Sequence, residues 1–519
     1  MLAIFSSTII LLKLQSVLGD FADEELVAIV DEIPLIDETI HACDQNNSNN
    51  WFIYCSGRLL EAVNVHKIYD DSKTFVDMPM KVNPEIVMDE FNKRFANQNL
   101  MEIERKDLEG FLNEFFMPSG SELVSCTPKD WTPFPPKLMQ IADPLLREWA
   151  LELNIIWKSL CKKVNASVET HQSRYSLIYV PHEFIIPGGR FREFYYWDAY
   201  WIIKGLLASD MFISARAMIL NLAYIVKKYG FVPNGGRIYY LQRSQPPLLS
   251  GMVYEYYEST QDTEFVKELL PTLEKEFSFW HTQRTINVTM KNKQRYTVYQ
   301  YRAKSNVPRP ESYREDLVTA QDVMNKSTLW QNIASAAESG WDFSTRWFAD
   351  GQSLNTAETT KILPVDLNAF MCWNMDILEY LFERIGDAVK SAKYRDIRTV
   401  FRSAMYNVFY NRTMGAWYDY NMRENRHNTK FYPSIAVPLF TGCYHMLNQQ
   451  KSERLFKLMH KVGAFSYPGG LPTSLAVNSN EQWDFPNGFG PLNHMVIEGL
   501  RKSENAQMQY QVKFFNSIY

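Results

Sequence analysis

From about Leu145 to the end of the chain, apolar residues return at helical spacing in one segment after another. Phe265, Leu269, Leu273 and Phe277 fall at i, i+4, i+8 and i+12, and Ile397, Val400, Phe401, Met405 and Val408 repeat the pattern. Trp201 to Tyr229 and Val365 to Phe382 are helical by the same period. No regular alternation of strand-like and helix-like runs is present, which disfavours a parallel sheet. The connections carry the punctuating residues: Pro187-Gly-Gly, Pro233-Asn-Gly-Gly, Gln245-Pro-Pro, Pro468-Gly-Gly and Pro486-Asn-Gly. Helices joined by such loops predict an all-α helical toroid with its loops gathered at one end. Function belongs on loops that a rigid scaffold holds.

No repeat or linker interrupts residues 146–519, so they read as one domain. Residues 20–145 read as a loop-rich segment packed on it, and residues 1–19 as a secretory signal. In that leader, Ile4 to Val17 is largely apolar and ends at Val17-Leu-Gly19, before the acidic run Asp20 to Glu25. The apolar run is too short for a membrane span. N-x-S/T triplets begin at Asn46, Asn165, Asn287, Asn325 and Asn411, as in a secreted glycoprotein. In an oxidising compartment Cys43 and Cys55 could pair, although spacing does not fix the connectivity.

Net charge is −5 with no long basic block, which excludes a nucleic-acid-binding surface of the usual kind. The nine His and six Cys show neither C-x-x-C nor H-E-x-x-H spacing, so no metal site is expected. No glycine-rich phosphate loop is present, so no nucleotide cofactor is expected either.

Two aromatic-rich stretches carry the chemistry. One is Pro187-Gly-Gly-Arg-Phe-Arg-Glu-Phe-Tyr-Tyr-Trp-Asp-Ala-Tyr200, and the other Gln482-Trp-Asp-Phe-Pro-Asn-Gly-Phe-Gly-Pro491. Between them lie Arg309-Pro-Glu-Ser-Tyr313 and Ser339-Gly-Trp-Asp-Phe-Ser-Thr-Arg-Trp347. Aromatic planes bind the C–H faces of sugars, Arg, Asn and carboxylates read hydroxyls, and paired carboxyl groups cut glycosidic bonds. Asp342 stands between Trp341 and Phe343, an apolar setting that keeps a carboxyl protonated as a general acid requires. Read alone, it is equally a turn or N-cap aspartate. Asp198 precedes the helical run Ala199 to Leu207 and reads as its N-cap.

These stretches, with Asp71-Ser-Lys-Thr-Phe-Val-Asp-Met-Pro79, Pro364-Val-Asp-Leu-Asn368 and Gly469-Gly-Leu-Pro-Thr-Ser474, make the chain resemble the trehalases from about Ser56 to Ser503. Trehalases are inverting glycosidases that split α,α-trehalose into two glucoses. The resemblance implies an (α/α)6 barrel, no cofactor, a small disaccharide as partner, and Asp342 as the acid that protonates the glycosidic oxygen. It implies sugar contacts from Arg190, Trp197, Asp198, Asn234, Arg243, Ser244, Gln245, Arg309, Pro310, Glu311 and Gly340. Taken singly, each charged member is as well explained by a surface charge or a structural ion pair. Phe489 stands where the family has Trp, which keeps a stacking plane and loses an N–H donor.

Inversion needs a second carboxylate about 6.5–9.5 Å from the first. The family supplies it from a Gly-Gly-Gly-Glu-Tyr loop after the Gln-Trp-Asp signature, and the sequence to Tyr519 has no counterpart. Glu481, Asp484 and Glu498 lie near that signature, but none matches the family position. The expectation is therefore a slow hydrolase whose toroid lacks its last helix and exposes an apolar seam. The alternatives are a protein that binds trehalose without cutting it, and a toroid glycosidase acting on another disaccharide.

Overall fold

A computed structural model describes residues 29–30, 38–96, 98–291, 293–444, 449–503 and 506–511. The leader expected over residues 1–19 lies outside them. The main helices are α1 (Pro144–Leu160), α2 (Tyr196–Ala208), α3 (Phe212–Tyr229), α4 (Leu249–Thr260), α5 (Thr263–Gln283), α6 (Lys326–Glu338), α7 (Val365–Arg384), α8 (Ala388–Ala404), α9 (Val437–Thr441), α10 (Gln449–Lys461) and α11 (Gly490–Lys502). Sequence neighbours pack as pairs, α2 on α3 and α7 on α8, while α4, α7, α9 and α11 follow one another inside. The result is a helical toroid. Every strand pair among the described residues is short and antiparallel.

Local chemistry explains the helix ends. The Asp262 carboxylate accepts from Phe265 N at 3.0 Å and starts α5, which buries Phe265, Leu269, Leu273 and Phe277 as one stripe. Asn325 does the same for α6 through Thr328 N. Gly230 ends α3 at φ +88°, a left-handed cap that a Cβ would disfavour.

Three local expectations change. Trp201 to Tyr229 is not one helix, because Asp210 turns the chain at φ +57° and separates α2 from α3. Hydrophobic period does not register a turn this short when both flanking helices are apolar. On α8, Val400 points outward at 74% exposure, and the face continues through a π turn at Met405–Phe409. The segment read as loop-rich holds helices Arg58–Val65, Pro84–Phe95 and Arg105–Phe115, which bury Leu60, Phe91 and Phe111 among others. Outside, α1 leaves Leu145, Trp149, Leu153 and Ile156 exposed along one stripe.

The helix that organises the centre is α7, almost wholly buried and in contact with α4, α5, α8 and α9. A buried guanidinium fastens its first turn. Arg346 donates to both oxygens of Asp366 (2.7 and 2.9 Å) and both of Asp419 (2.7 and 2.8 Å), and lies over the Trp341 and Trp347 rings. Removing one partner would strand a buried charge, at about 3–5 kcal/mol. This clamp sets the Trp341 ring beside the candidate acid.

Candidate active site

Asp342 follows α6 by four residues, beyond the turn at Gly340. Gly340 has φ +78°, and a Cβ there would meet the Trp197 ring at 2.7 Å. Glycine is thus required twice, for its backbone angle and for the approach of the aromatic wall. The Asp342–Phe343 and Phe485–Pro486 peptides are cis.

Water reaches the side chains of Asp342 and Asp198, yet protein crowds both carboxyls, as in a narrow concavity. That burial pushes Asp342 above the ordinary aspartate range, against the downward pull of the Arg309 and Arg243 guanidiniums. Burial pushes Asp198 up to about 6; its own backbone N–H works against this, and the charge of Asp342 adds to it. Asp198 is not an N-cap. The residue at the cap of α2 is Tyr195, and Asp198 lies in the first turn.

Three arginines belong to the predicted site, each with half its fork already engaged: Arg309 and Arg243 act on Asp342, and Arg190 joins them through Glu311. Arg190 donates Nε and Nη2 to the Asp71 carboxylate at 2.6 and 3.0 Å, and Nη2 also to Glu311 O at 2.8 Å. Arg309 donates Nε and Nη2 to Asp316 at 2.9 and 2.7 Å and lies 5.0 Å from the Phe343 ring. Arg243 donates Nε to Asn234 Oδ1 at 3.0 Å and Nη2 to Glu311 Oε1. In all three the Nη1 amino group makes no hydrogen bond among the described residues and is not a buried orphan. The planar fork is thereby fixed while one edge stays available for an external acceptor. Glu311 Oε2 is buried and has no hydrogen-bond partner among the described residues.

The remaining predicted residues divide by role. Gln245 Oε1 accepts from Trp197 N at 3.1 Å, so it fastens α2 to the Arg243 loop. Ser244 spends its hydroxyl on Val232 O and its N–H on the Glu338 carboxylate, which also holds Arg284 and Arg302 N. Its polar groups are used within the protein and hold Arg243 and Gln245 in place. Pro310 starts the short turn that presents Glu311.

The Gln-Trp-Asp signature closes the aromatic wall. Trp483 stacks on Phe489 at 3.9 Å and meets Trp341 at 5.4 Å and Trp197 at 5.7 Å. Phe489 therefore spends one ring face on Trp483. Asp484 is buried and accepts from Ser344 Oγ, Thr345 N, Thr345 Oγ1 and Ser479 Oγ, tying this loop to the segment after Asp342. Glu498 pairs with Arg501 on α11. The Glu481 carboxyl is half-buried, has no hydrogen-bond partner among the described residues, and is pushed up by burial and then by Asp484.

Sequence reasoning missed the partners that orient these groups: Asp71, Asp316, Asp484 and Glu338. Asp71 opens a motif already singled out and Asp484 lies inside the Gln-Trp-Asp signature, but Asp316 and Glu338 gave no signal, since a carboxylate's partner is set by tertiary proximity. Elsewhere, a cavity of about 190 Å³ lined by Lys129, Lys163, His182 and Glu183 shares no residue with this site. Beside it Cys126, Cys161 and Glu183 converge, but the two sulfurs are bonded to each other and cannot ligate a metal.

Donor edges on three arginines, an aromatic wall and a carboxyl biased towards its protonated form can bind a neutral polyol and deliver a proton to it. The comparisons agree with that chemistry. The trehalase family model matches residues 67–514. Trehalase from Homo sapiens is 42% identical over 462 residues, covering 88% of this chain and 78% of the relative. Trehalase from Apis mellifera is 42% identical over 465 residues, covering 88% and 74%. Among solved structures, neutral trehalase from Saccharomyces cerevisiae matches with a TM-score of 0.52 at 19% identity, over 62% of this chain and 64% of that one, which shows the (α/α)6 fold. With the family model spanning most of its length and relatives above 40% identity, this chain belongs to the trehalase family.

Proposed function

We propose that this chain hydrolyses α,α-trehalose to two glucose molecules, with Asp342 as the general acid. The observation that carries the reading is the Asp342 carboxyl itself. It is held above the ordinary aspartate range by burial, faces a water-reached concavity, and stands among guanidiniums with unclaimed Nη1 donors. Protonated, it can donate to the glycosidic oxygen as the bond breaks. Trp197, Trp341 and Trp483, packed on one another, back the site with an apolar wall, and Arg190, Arg243 and Arg309 supply hydroxyl contacts.

In the inverting mechanism water attacks from the opposite face, with a second carboxylate as base. The family's Gly-Gly-Gly-Glu-Tyr glutamate has no counterpart in this sequence. Asp484 is committed to internal donors and Glu498 pairs with Arg501. Of the two carboxyls that remain, Asp198 feels the charge of Asp342, and Glu481, without a hydrogen-bond partner among the described residues, is the one substituted beside Asp342 as a test. A second reading is trehalose binding without cleavage, for which the unclaimed arginine donors would serve equally well.

The test is glucose release from trehalose by the 519-residue chain, with Asp342→Asn and Glu481→Gln beside it. Wild-type activity that Asp342→Asn lowers by about 10²–10⁴-fold supports hydrolysis by this acid. Inversion yields one α- and one β-glucose per trehalose, which proton NMR distinguishes at early times. A folded sample that binds trehalose and releases no glucose establishes the binding reading. Cleavage of maltose but not trehalose would sink both.

We also propose that the chain is secreted. All six cysteines are paired, Cys43–Cys55, Cys126–Cys161 and Cys372–Cys443, as an oxidising compartment permits. Asn46, Asn165 and Asn325 of the glycosylation triplets are exposed. Glycosidase-sensitive mass on the mature protein supports this placement; reduced thiols and an unmodified mass in the cell of origin refute it.

A further inference from the structure

We propose that Asp71 is a positioning residue for the sugar site, acting through Arg190, so that the segment before the toroid forms part of the site's wall. This rests on the reading of Arg190 as a sugar contact under Proposed function.

The three arginines of the site differ in setting. Arg243 and Arg309 have side chains 4% and 6% exposed, so the surrounding protein limits their rotamers. The Arg190 side chain is 38% exposed, and its pairing partner Asp71 equally so. A long, half-exposed arginine has several rotamers open to it and aims at a ligand only if something holds it. Asp71 supplies that hold in bidentate form, with Oδ2 taking Nε and Oδ1 taking Nη2. Glu311 O takes Nη2 as well. Two anchors fix the guanidinium plane, and Nη1 is the edge left over.

Asp71 is itself held. Its Oδ1 accepts from Lys73 N at 2.9 Å, and its backbone carbonyl accepts from Thr74 N at 3.0 Å. The stretch around it is tied to the turn that carries Glu311. Ser72 Oγ donates to Glu315 Oε2 at 2.8 Å, and Arg314 donates to Tyr69 O at 3.1 Å and to Asp70 O. The helical turn Lys73–Val76 packs on the Pro310–Ser312 turn. Asp71 is therefore registered to Glu311 and, through it, to Arg243. The Arg190 and Lys73 groups hold its carboxyl below the usual carboxylate range, so it stays an acceptor in mildly acidic conditions.

A half-exposed ion pair contributes little to folding. If the pair served only stability, its loss would barely register in any assay. A positioning role makes a different demand: losing the anchor lets Arg190 leave its bound geometry while the fold stands.

The experiment is a double-mutant cycle with Asp71→Ala and Arg190→Ala in the full-length chain. It is read by kcat and KM for trehalose, with Tm as the control, and Asp71→Asn serves as the conservative variant. The expected result is a loss of kcat/KM of roughly tenfold for Asp71→Ala, carried mainly by KM, with Tm nearly unchanged. Asp71→Asn, which keeps one acceptor oxygen, should fall between it and wild type. In the Arg190→Ala background, Asp71→Ala should cost less than about twofold more, because the two act as one unit. Wild-type kcat/KM in Asp71→Ala overturns the proposal. So does a full loss that persists in the Arg190→Ala background, since Asp71 would then act by another route. If the wild-type chain binds trehalose without cleaving it, the same cycle is read in Kd by calorimetry. If it neither cleaves nor binds trehalose, the functional reading falls and the inference falls with it.

Discussion

Replacing Asp484 separates a structural carboxylate from a catalytic one at the position where the family signature invites the second reading. The side chain is buried and accepts four hydrogen bonds: Ser344 Oγ at 3.1 Å, Thr345 N at 2.8 Å, Thr345 Oγ1 at 2.9 Å and Ser479 Oγ at 2.7 Å. Three of these donors are hydroxyls that can rotate. The Thr345 N–H cannot. In Asp484→Asn the amide can turn its oxygen to Thr345 N and offer its N–H groups to hydroxyls that swing round to accept. Every group then stays paired, and the cost is the charge assistance on the bonds, about 1–2 kcal/mol. In Asp484→Ala the Thr345 N–H is left buried and unpaired, at about 1–3 kcal/mol, and the vacated volume brings the total to about 3–5 kcal/mol. For a chain this long, unfolding entropy near 2 cal/mol/K per residue converts each kcal/mol into about 1 °C of Tm. Scanning calorimetry should therefore show Asp484→Ala lower by about 3–5 °C and Asp484→Asn by about 1–2 °C. The loss of kcat/KM on trehalose should follow the same order, because the loop after Asp342 is loosened. An Asp484→Asn protein with wild-type Tm and kcat reduced by about 10²–10⁴-fold would refute the clamp and make Asp484 a catalytic carboxylate.

Buried Glu276 accepts from the Tyr196 hydroxyl, and burial pushes it up to about 8. A raised folded-state pKa contributes stability that is present below the ordinary glutamate range and is lost as pH rises through about 8. Glu276→Gln should flatten the pH dependence of Tm between about 5 and 8, where wild type loses up to about 1.4 kcal/mol per pH unit; parallel Tm–pH curves would count against it. Cys372–Cys443 joins α7 to the end of α9 across a sequence separation of 71. Cys372→Ser should lower stability by about 2–5 kcal/mol in chemical denaturation, and reducing agent should then add little for this bridge.

The helices of the toroid were legible in the sequence because hydrophobic period is a local property. Phe265 to Phe277 on α5 and Val365 to Phe382 on α7 each need only their own segment to declare a buried face. The limits of that reasoning are local too: the turn at Asp210 and the outward Val400 break no period. Asp342 stood out because its neighbours in sequence, Trp341 and Phe343, are also neighbours in space. Tertiary structure alone decided which half of each arginine fork is spent and which faces outward. That choice depends on carboxylates 119 residues away for Arg190 and 68 residues away for Arg243. The same holds for Asp198, placed as a desolvated acid inside the first turn of α2, where sequence offered an N-cap, and for Asp484, fixed 139 residues from Thr345. Hydrogen-bond partnership and desolvation are set by what the folded chain brings within a few ångströms, and spacing along the chain does not encode that distance.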